Sequence, residues 1–216
     1  KGGVKLTVSI RAKKSLGQNF LINPHILDKI VSAAEISKDD IILEVGPGTG
    51  LLTKKLAQVA GRVIAIEKDR RLVPILKSEF KILNNIEILE ADILKFKIEN
   101  LKLTDYTIIA NIPYYITSNF LRIIFEKWPR PRLIVLTIQK EVAQRIQAKP
   151  PHTNLLALSV QYYSEPEIIG YISKNNFRPI PKVDSAIIRL KPKSLEVEPQ
   201  ISLEVRPREL FRLIRL

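Results

Sequence analysis

Cysteine and methionine are absent from the 216 residues, histidine occurs twice and tryptophan once. Without cysteine there is no disulfide scaffold, no thiolate zinc site and no cysteine nucleophile. Two histidines, His25 and His152, are too few for most metal centres. No metal is expected, and both histidines read as ordinary helix or loop residues. No run of about 18 uncharged apolar residues occurs, so no transmembrane helix is expected. The basic first ten residues, Lys1 to Ile10, lead into no apolar stretch of the kind a secretory signal needs. The expectation is a cytoplasmic protein without membrane contact. With no methionine at all, the sequence is also expected to begin downstream of a natural start.

What is present is enough apolar residue, 45%, to bury a core in one full domain with at most a small appendage. Basic residues outnumber acidic ones 35 to 22, for a net charge of +13. The excess is segregated. Residues 1–20 carry five basic groups and no acid, residues 21–121 carry thirteen of each, and residues 122–149 and 171–216 are each at +5. A solubilising surface would account for charge alone. Its confinement to the flanks of a neutral centre favours a polyanion-binding rim, with nucleic acid the first partner and an anionic membrane surface the second.

Short apolar runs alternate with helical patterns. Helices are expected at residues 24–36, 49–60, 70–80, 118–127, 140–148 and 155–163. Asn23 would cap the first, with Pro24 at its first position. Strands are expected at 41–45, 62–67, 86–91, 106–110, 133–138, 167–173 and 185–190. The alternation predicts an α/β fold with a parallel sheet covered on both faces, and the last two strands an antiparallel hairpin at one end. Residues 209–216 read as the opening of a further helix.

The first strand runs into Glu44-Val45-Gly46-Pro47-Gly48-Thr49-Gly50, which opens a helix. Small residues there let the backbone approach a ligand at the carboxyl edge of the sheet. A tight turn or a dinucleotide site would also use such glycines. Glu67 ends the second strand, where a carboxylate can accept both hydroxyl protons of a ribose. Asp92 follows the third, where it can accept from an adenine amino group. The glycines at 46, 48 and 50 depart from the Gly-x-Gly-x-x-Gly pyrophosphate spacing. With Glu44 before them they fit S-adenosylmethionine, whose ammonium group needs acceptors, better than NAD.

Asn111-Ile112-Pro113-Tyr114-Tyr115 follows the fourth strand. An exocyclic amine on a base is a poor nucleophile because its lone pair is delocalised into the ring. An Asn side-chain carbonyl and a backbone carbonyl accepting its two protons would favour a pyramidal nitrogen and free that lone pair. Proline fixes the backbone there and has no N–H of its own. A tyrosine can stack on an extruded base.

With these segments the chain resembles the rRNA adenine N6-dimethyltransferases of the KsgA/Dim type. The resemblance runs from about Lys13 to Leu190. It rests on Lys14-Ser-Leu-Gly-Gln-Asn-Phe-Leu21, Leu43-Glu-Val-Gly-Pro-Gly-Thr-Gly50, Asn111-Ile-Pro-Tyr-Tyr-Ile-Thr-Ser118, Gln139-Lys-Glu-Val-Ala-Gln-Arg145 and Phe177-Arg-Pro-Ile-Pro-Lys-Val183. It implies a Rossmann-like class I S-adenosylmethionine-dependent methyltransferase with a mainly parallel seven-stranded sheet. It implies that Asn19, the backbone of Leu21, Gly46, Gly48, Glu67, Asp92 and Asn111 hold the cofactor. Asn111, the Pro113 carbonyl and Tyr114 would orient the target amine, with Phe177 on the other face of the base. The partner implied is small-subunit rRNA or an assembling small ribosomal subunit, met by a monomer. The expected product is two adjacent dimethyladenosines near the 3′ end. The resemblance leaves as alternatives a large-subunit rRNA adenine methyltransferase and a non-catalytic RNA-binding assembly factor on the same scaffold. Two departures stand out. The Lys149–Leu155 loop is short, and the family's small basic helical domain would begin about where the sequence stops. Residues 1–190 are therefore expected to be the catalytic domain and 191–216 a linker and the start of that helical domain.

Overall fold

The computed structural model describes residues 11–194. The basic first ten residues and the expected helix at 209–216 lie outside the described residues. A single 3-10 turn, Lys14–Leu16, precedes β1 (Phe20–Leu21) and α1 (Pro24–Ala33). Then come β2 (Ile41–Val45), α2 (Leu51–Val59), β3 (Arg62–Glu67), α3 (Val73–Glu79), β4 (Ile86–Glu90) and β5 (Thr107–Asn111). The rest are α4 (Thr117–Lys127), β6 (Leu133–Gln139), α5 (Lys140–Ile146), α6 (Leu155–Tyr163), β7 (Ser164–Ile172), β8 (Phe177–Arg178) and β9 (Ser185–Pro192).

Seven strands form one sheet in the order β4-β3-β2-β5-β6-β9-β7. The first five are parallel, and β9 is antiparallel to both β6 and β7. This is the expected α/β plan with its terminal hairpin. The unbroken apolar character of the central strands follows from burial on both faces. Along β5, Ile108 and Ala110 pack towards α4, α5 and α6, while Ile109 packs towards α1 and α2. The direction of strand addition reverses between β2 and β5, which opens a crevice at their carboxyl ends.

Element ends differ from expectation for local reasons. Asn23 Oδ1 accepts the His25 N–H at 2.9 Å and caps α1 as expected. The helix stops at Ala33, short of residue 36, because Glu35 turns the chain with φ 48°. Gly50, at φ 79°, delays α2 to Leu51. Asp69 Oδ1 accepts the Arg71 N–H at 3.1 Å and the Asp69 carbonyl accepts from Leu72, so α3 starts at Val73 rather than residue 70. β5 ends on Asn111 itself, one residue later than expected. β9 runs to Pro192, so the expected domain boundary after residue 190 falls inside a strand. The β1–β8 ribbon, with Phe20 opposite Arg178 and Leu21 opposite Phe177, was not expected at all.

Candidate active site

One cavity sits over the carboxyl ends of β2, β3, β4 and β5, roofed by residues 16–21. The glycine loop forms its floor. Gly46, Gly48 and Gly50 have φ of 74°, 58° and 79°, which L side chains rarely adopt. Gly46 carries open space on its Cβ side apart from the Asn111 carbonyl 3.5 Å away, so its backbone can meet a ligand directly. A Cβ on Gly48 would come within 2.9 Å of the Phe20 ring, which shows how closely the N-terminal segment lies over the loop.

Three acids line this cavity. Glu44 is buried, and neither carboxylate oxygen has a hydrogen-bond partner among the described residues. Burial pushes its pKa up to about 8; the neighbouring Thr53 hydroxyl opposes the rise and the Glu67 charge adds to it. Glu67, at the end of β3, accepts from the Gly48 N–H at 3.1 Å and the Asp69 N–H at 2.7 Å. Burial raises its pKa, and these amide bonds restrain the rise. Asp92 follows β4. Its Oδ1 accepts the Leu94 N–H at 3.1 Å and its Oδ2 pairs with Lys68 Nζ at 2.9 Å. Partial burial works to raise the Asp92 pKa, but the Lys68 bond, the Leu94 amide and the nearby Lys95 charge carry it below the ordinary value.

The Asn111-Ile112-Pro113-Tyr114 segment closes the far end. β5 pairs with β6 through Asn111 opposite Thr137, which fixes the Asn111 backbone at the cavity. The Pro113 carbonyl accepts the Ile116 N–H at 3.1 Å and so starts the 3-10 turn Tyr114–Ile116; one lone pair remains. The Tyr114 hydroxyl lies 2.7 Å from Ser185 Oγ on β9, and burial raises its pKa. Asn19 donates from Nδ2 to the Gly17 carbonyl at 3.2 Å. Leu21 is buried in β1 and Phe177 in β8, each on the cavity wall. At 1% exposure Phe177 packs among Leu21, Leu27 and their neighbours, so its ring is a wall of the cavity before it is anything else.

All ten residues expected at the site therefore line one cavity: Asn19, Leu21, Gly46, Gly48, Glu67, Asp92, Asn111, Pro113, Tyr114 and Phe177. The arrangement offers a row of acceptors along an apolar slot, suited to a ligand with an ammonium group, vicinal hydroxyls and an amino-substituted ring. Sequence reasoning missed four contributors. Gln18 donates from Nε2 to Asp69 Oδ2 at 2.9 Å and ties the roof to the floor. Asp69 is held at a pKa of about 2, chiefly by its bond to Arg71. Lys68 engages Asp92, and Ser185 engages Tyr114. The Glu67-Lys68-Asp69 run was a visible signal for two of them, since each follows a strand end. Among the described residues no group of three or more Asp, Glu or His side chains is placed to hold a metal ion, and no helix is long and apolar enough to cross a membrane.

Residues 9–207 match the family described as ribosomal RNA adenine dimethylase. The chain belongs to that family. A ribosomal RNA small subunit methyltransferase A from Dehalococcoides mccartyi is 42% identical over 184 residues, 84% of this chain and 63% of the relative. One from Alkaliphilus metalliredigens is also 42% identical, over 95% of this chain and 72% of its own length. The chain thus spans about 63% of the length of the first curated relatives it matches. Among solved structures, a dimethyladenosine transferase from Plasmodium falciparum superposes with a TM-score of 0.74 at 36% identity, over 81% of this chain and 63% of that one. The 23S rRNA methyltransferase ErmE also gives 0.74, at 31% identity, over 82% of this chain and 70% of its own. The adenine dimethylase fold is the class I methyltransferase fold, with the antiparallel hairpin seen here in β7 and β9.

Proposed function

We propose that the chain transfers methyl groups from S-adenosyl-L-methionine to N6 of adenines in small-subunit rRNA, dimethylating two adjacent adenines near the 3′ end. The observation that carries this reading is the meeting of Glu67, Asp92 and Asn111, from three separate strand ends, on one cavity. The two curated relatives compared above are small-subunit enzymes by name, which favours that substrate over large-subunit rRNA. The complete set of acceptors argues against a binding factor that has lost catalysis.

The residues present fit the methyl donor. Glu44 supplies two unpartnered oxygens for an ammonium group, and Gly46 and Gly48 let the backbone lie against the ligand. Glu67 would hold the ribose hydroxyls and Asp92 the adenine amine, with Asn19 and Leu21 closing the roof. S-adenosyl-L-methionine supplies an electrophilic methyl carbon on a sulfonium. Asn111 Oδ1 and the free lone pair of the Pro113 carbonyl would accept the two N6 protons of the target and aim its lone pair. Tyr114 would stack on the extruded base, with Phe177 as the opposing apolar wall. Orientation supplies most of the rate in such a site, and no metal or second copy is needed. The catalytic domain in this reading takes in the whole of β9 and so extends past residue 190 to Pro192, with residues 193–216 as a linker and the start of a helical domain; residues 195–216 lie outside the described residues. The setting is the cytoplasm, where rRNA is modified.

The test is mass spectrometry of small-subunit rRNA fragments after incubation with isotope-labelled methyl donor. Two dimethylated adjacent adenines are expected. Asn111→Ala abolishes transfer while calorimetry still detects cofactor binding; an active Asn111→Ala chain overturns the assigned chemistry.

A further inference from the structure

Beside the cavity, on the other face of the same sheet edge, one exposed aromatic ring is held in place by structure that the cavity does not need. Tyr171 is 53% exposed. It sits on the edge strand β7, opposite Ala186 of β9. One residue further, Ile172 stands opposite Ser185, whose hydroxyl meets Tyr114. Tyr171 and Ser185 are thus one strand and one residue apart, roughly 6 Å between Cα atoms by ordinary sheet spacing.

A β-bulge decides which way the ring points. Ile168 stands opposite Ile188, but Gly170 stands opposite Ile187, so the register slips between them. Without the extra residue, Tyr171 would oppose Ser185 and share its face, towards α1 and the Leu21–Phe177 wall. With it, Ile172 takes the inward position and is buried, while Tyr171 shares the Ala186 face, towards α5. Bulges that re-aim a side chain are typical next to active sites. On that face Lys140 Nζ sits 5.2 Å from the Tyr171 ring centroid. The Lys140 N–H donates to the Asp184 carbonyl at 3.1 Å and the Lys174 N–H to Asp184 Oδ1 at 2.9 Å. Asp184 precedes Ser185, so three segments meet there: Lys140 lies over the tyrosine ring, and the Lys174 backbone, three residues on from Tyr171, is tied to the same aspartate. Arg178 and Lys182, both exposed, follow in sequence and add to the basic excess of residues 171–216.

We propose that Tyr171 with Lys140 is a stacking platform for an unpaired RNA base flanking the target adenine, with Lys174 as its phosphate contact. This rests on the functional reading above. An exposed ring with one lysine ammonium over it and an exposed Lys174 three residues on matches single-stranded nucleic acid, because every base offers a π face and every nucleotide a phosphate. An apolar protein partner would not match the charge on this edge.

The test is fluorescence anisotropy with a single-stranded RNA oligonucleotide containing two adjacent adenines, titrated over a range of salt. Tyr171→Ala is expected to weaken binding about tenfold, within the range that loss of one stacked base produces. Tyr171→Phe keeps the affinity, since the hydroxyl plays no part. Tyr171→Trp keeps it too, and RNA quenches the new indole emission, a readout that does not depend on how well Tyr171→Ala folds. Lys174→Met weakens binding and flattens the log–log salt slope by about 0.7, the share of one phosphate contact on a single strand. Cofactor affinity and melting temperature stay unchanged throughout. A wild-type chain that methylates RNA, with Tyr171→Ala binding RNA equally well or Tyr171→Trp unquenched, overturns the platform alone. A wild-type chain that binds the oligonucleotide at no salt concentration overturns the platform, and one that also transfers no methyl group overturns the functional reading with it.

Discussion

The Tyr114 hydroxyl and the Ser185 hydroxyl lie 2.7 Å apart, joining the loop after β5 to the first residue of β9. β9 is the strand that runs against the other six in direction, and this contact ties it to the cavity. Ser185 is buried, so the bond is shielded from water. A net hydrogen bond of this kind is worth about 1 kcal/mol. Ser185→Ala is therefore expected to slow methyl transfer about fivefold through a loosened Tyr114 ring, with cofactor affinity unchanged. Stopped-flow single turnover measures the first and calorimetry the second. Equal losses in both would mean that Ser185 supports the whole cavity rather than the tyrosine.

Gly50 carries the junction of the glycine loop with α2. A Cβ there would sit 2.9 Å from Leu76 Cδ2 and from the Phe80 ring, with φ at 79°. Left-handed backbone costs an L residue about 1–2 kcal/mol, and crowding a packed site costs about as much again. Gly50→Ala should lower stability by roughly 3 kcal/mol, read as the midpoint of urea unfolding with an unchanged slope. A variant as stable as the parent would show that α3 can retreat from the loop.

How far these features could be read from sequence depended on how local they are. β2, β3, β5 and β6 are apolar runs bounded by turn residues; Glu67 and Asn111 sit where such runs stop, and Asp92 just past the alternating β4. The cavity floor was legible because position in a parallel strand dictates position at its carboxyl edge. β1 and β8 were not, since two-residue strands carry no periodicity and Leu21 meets Phe177 from across the chain. The Ser185 hydroxyl reads as the start of a strand, and only the register of β9 turns it towards Tyr114. The Tyr171 bulge is a slip of one residue in a nine-residue strand. An extra residue leaves composition unchanged while reversing which face each side chain takes.

Lys68 Nζ pairs with Asp92 Oδ2 across the cavity mouth. The pair lowers the Asp92 pKa, so the carboxylate contributes stability above the ordinary range of an aspartate, and that contribution is lost as pH falls through the folded value. Lys68→Met should move the acidic limb of cofactor affinity to higher pH. The loss of affinity is then larger at pH 5 than at pH 7.5, as calorimetric titrations at both values would register. A uniform loss at the two values would count against the pairing as the cause.

Glu44 reverses the sign. Its folded pKa of about 8 stands above the ordinary 4.5 because burial penalises the charge. Between those two values the folded chain keeps a proton that the unfolded chain has released. Stability therefore falls as pH rises through this window and levels off above it. Glu44→Gln cannot titrate and removes that slope. The variant should gain melting temperature over the parent at pH 8.5 and little at pH 5. Glu67, whose pKa burial also raises, leaves a residual slope of the same sign in the variant. The same group links proton and ligand. An ammonium seated on Glu44 requires the carboxylate, so cofactor binding at pH 7 should release a proton. Calorimetry in two buffers of different ionisation enthalpy counts it. Proton release that survives in Glu44→Gln assigns the linkage to Glu67 instead, and absence of release in the parent removes Glu44 as the ammonium acceptor.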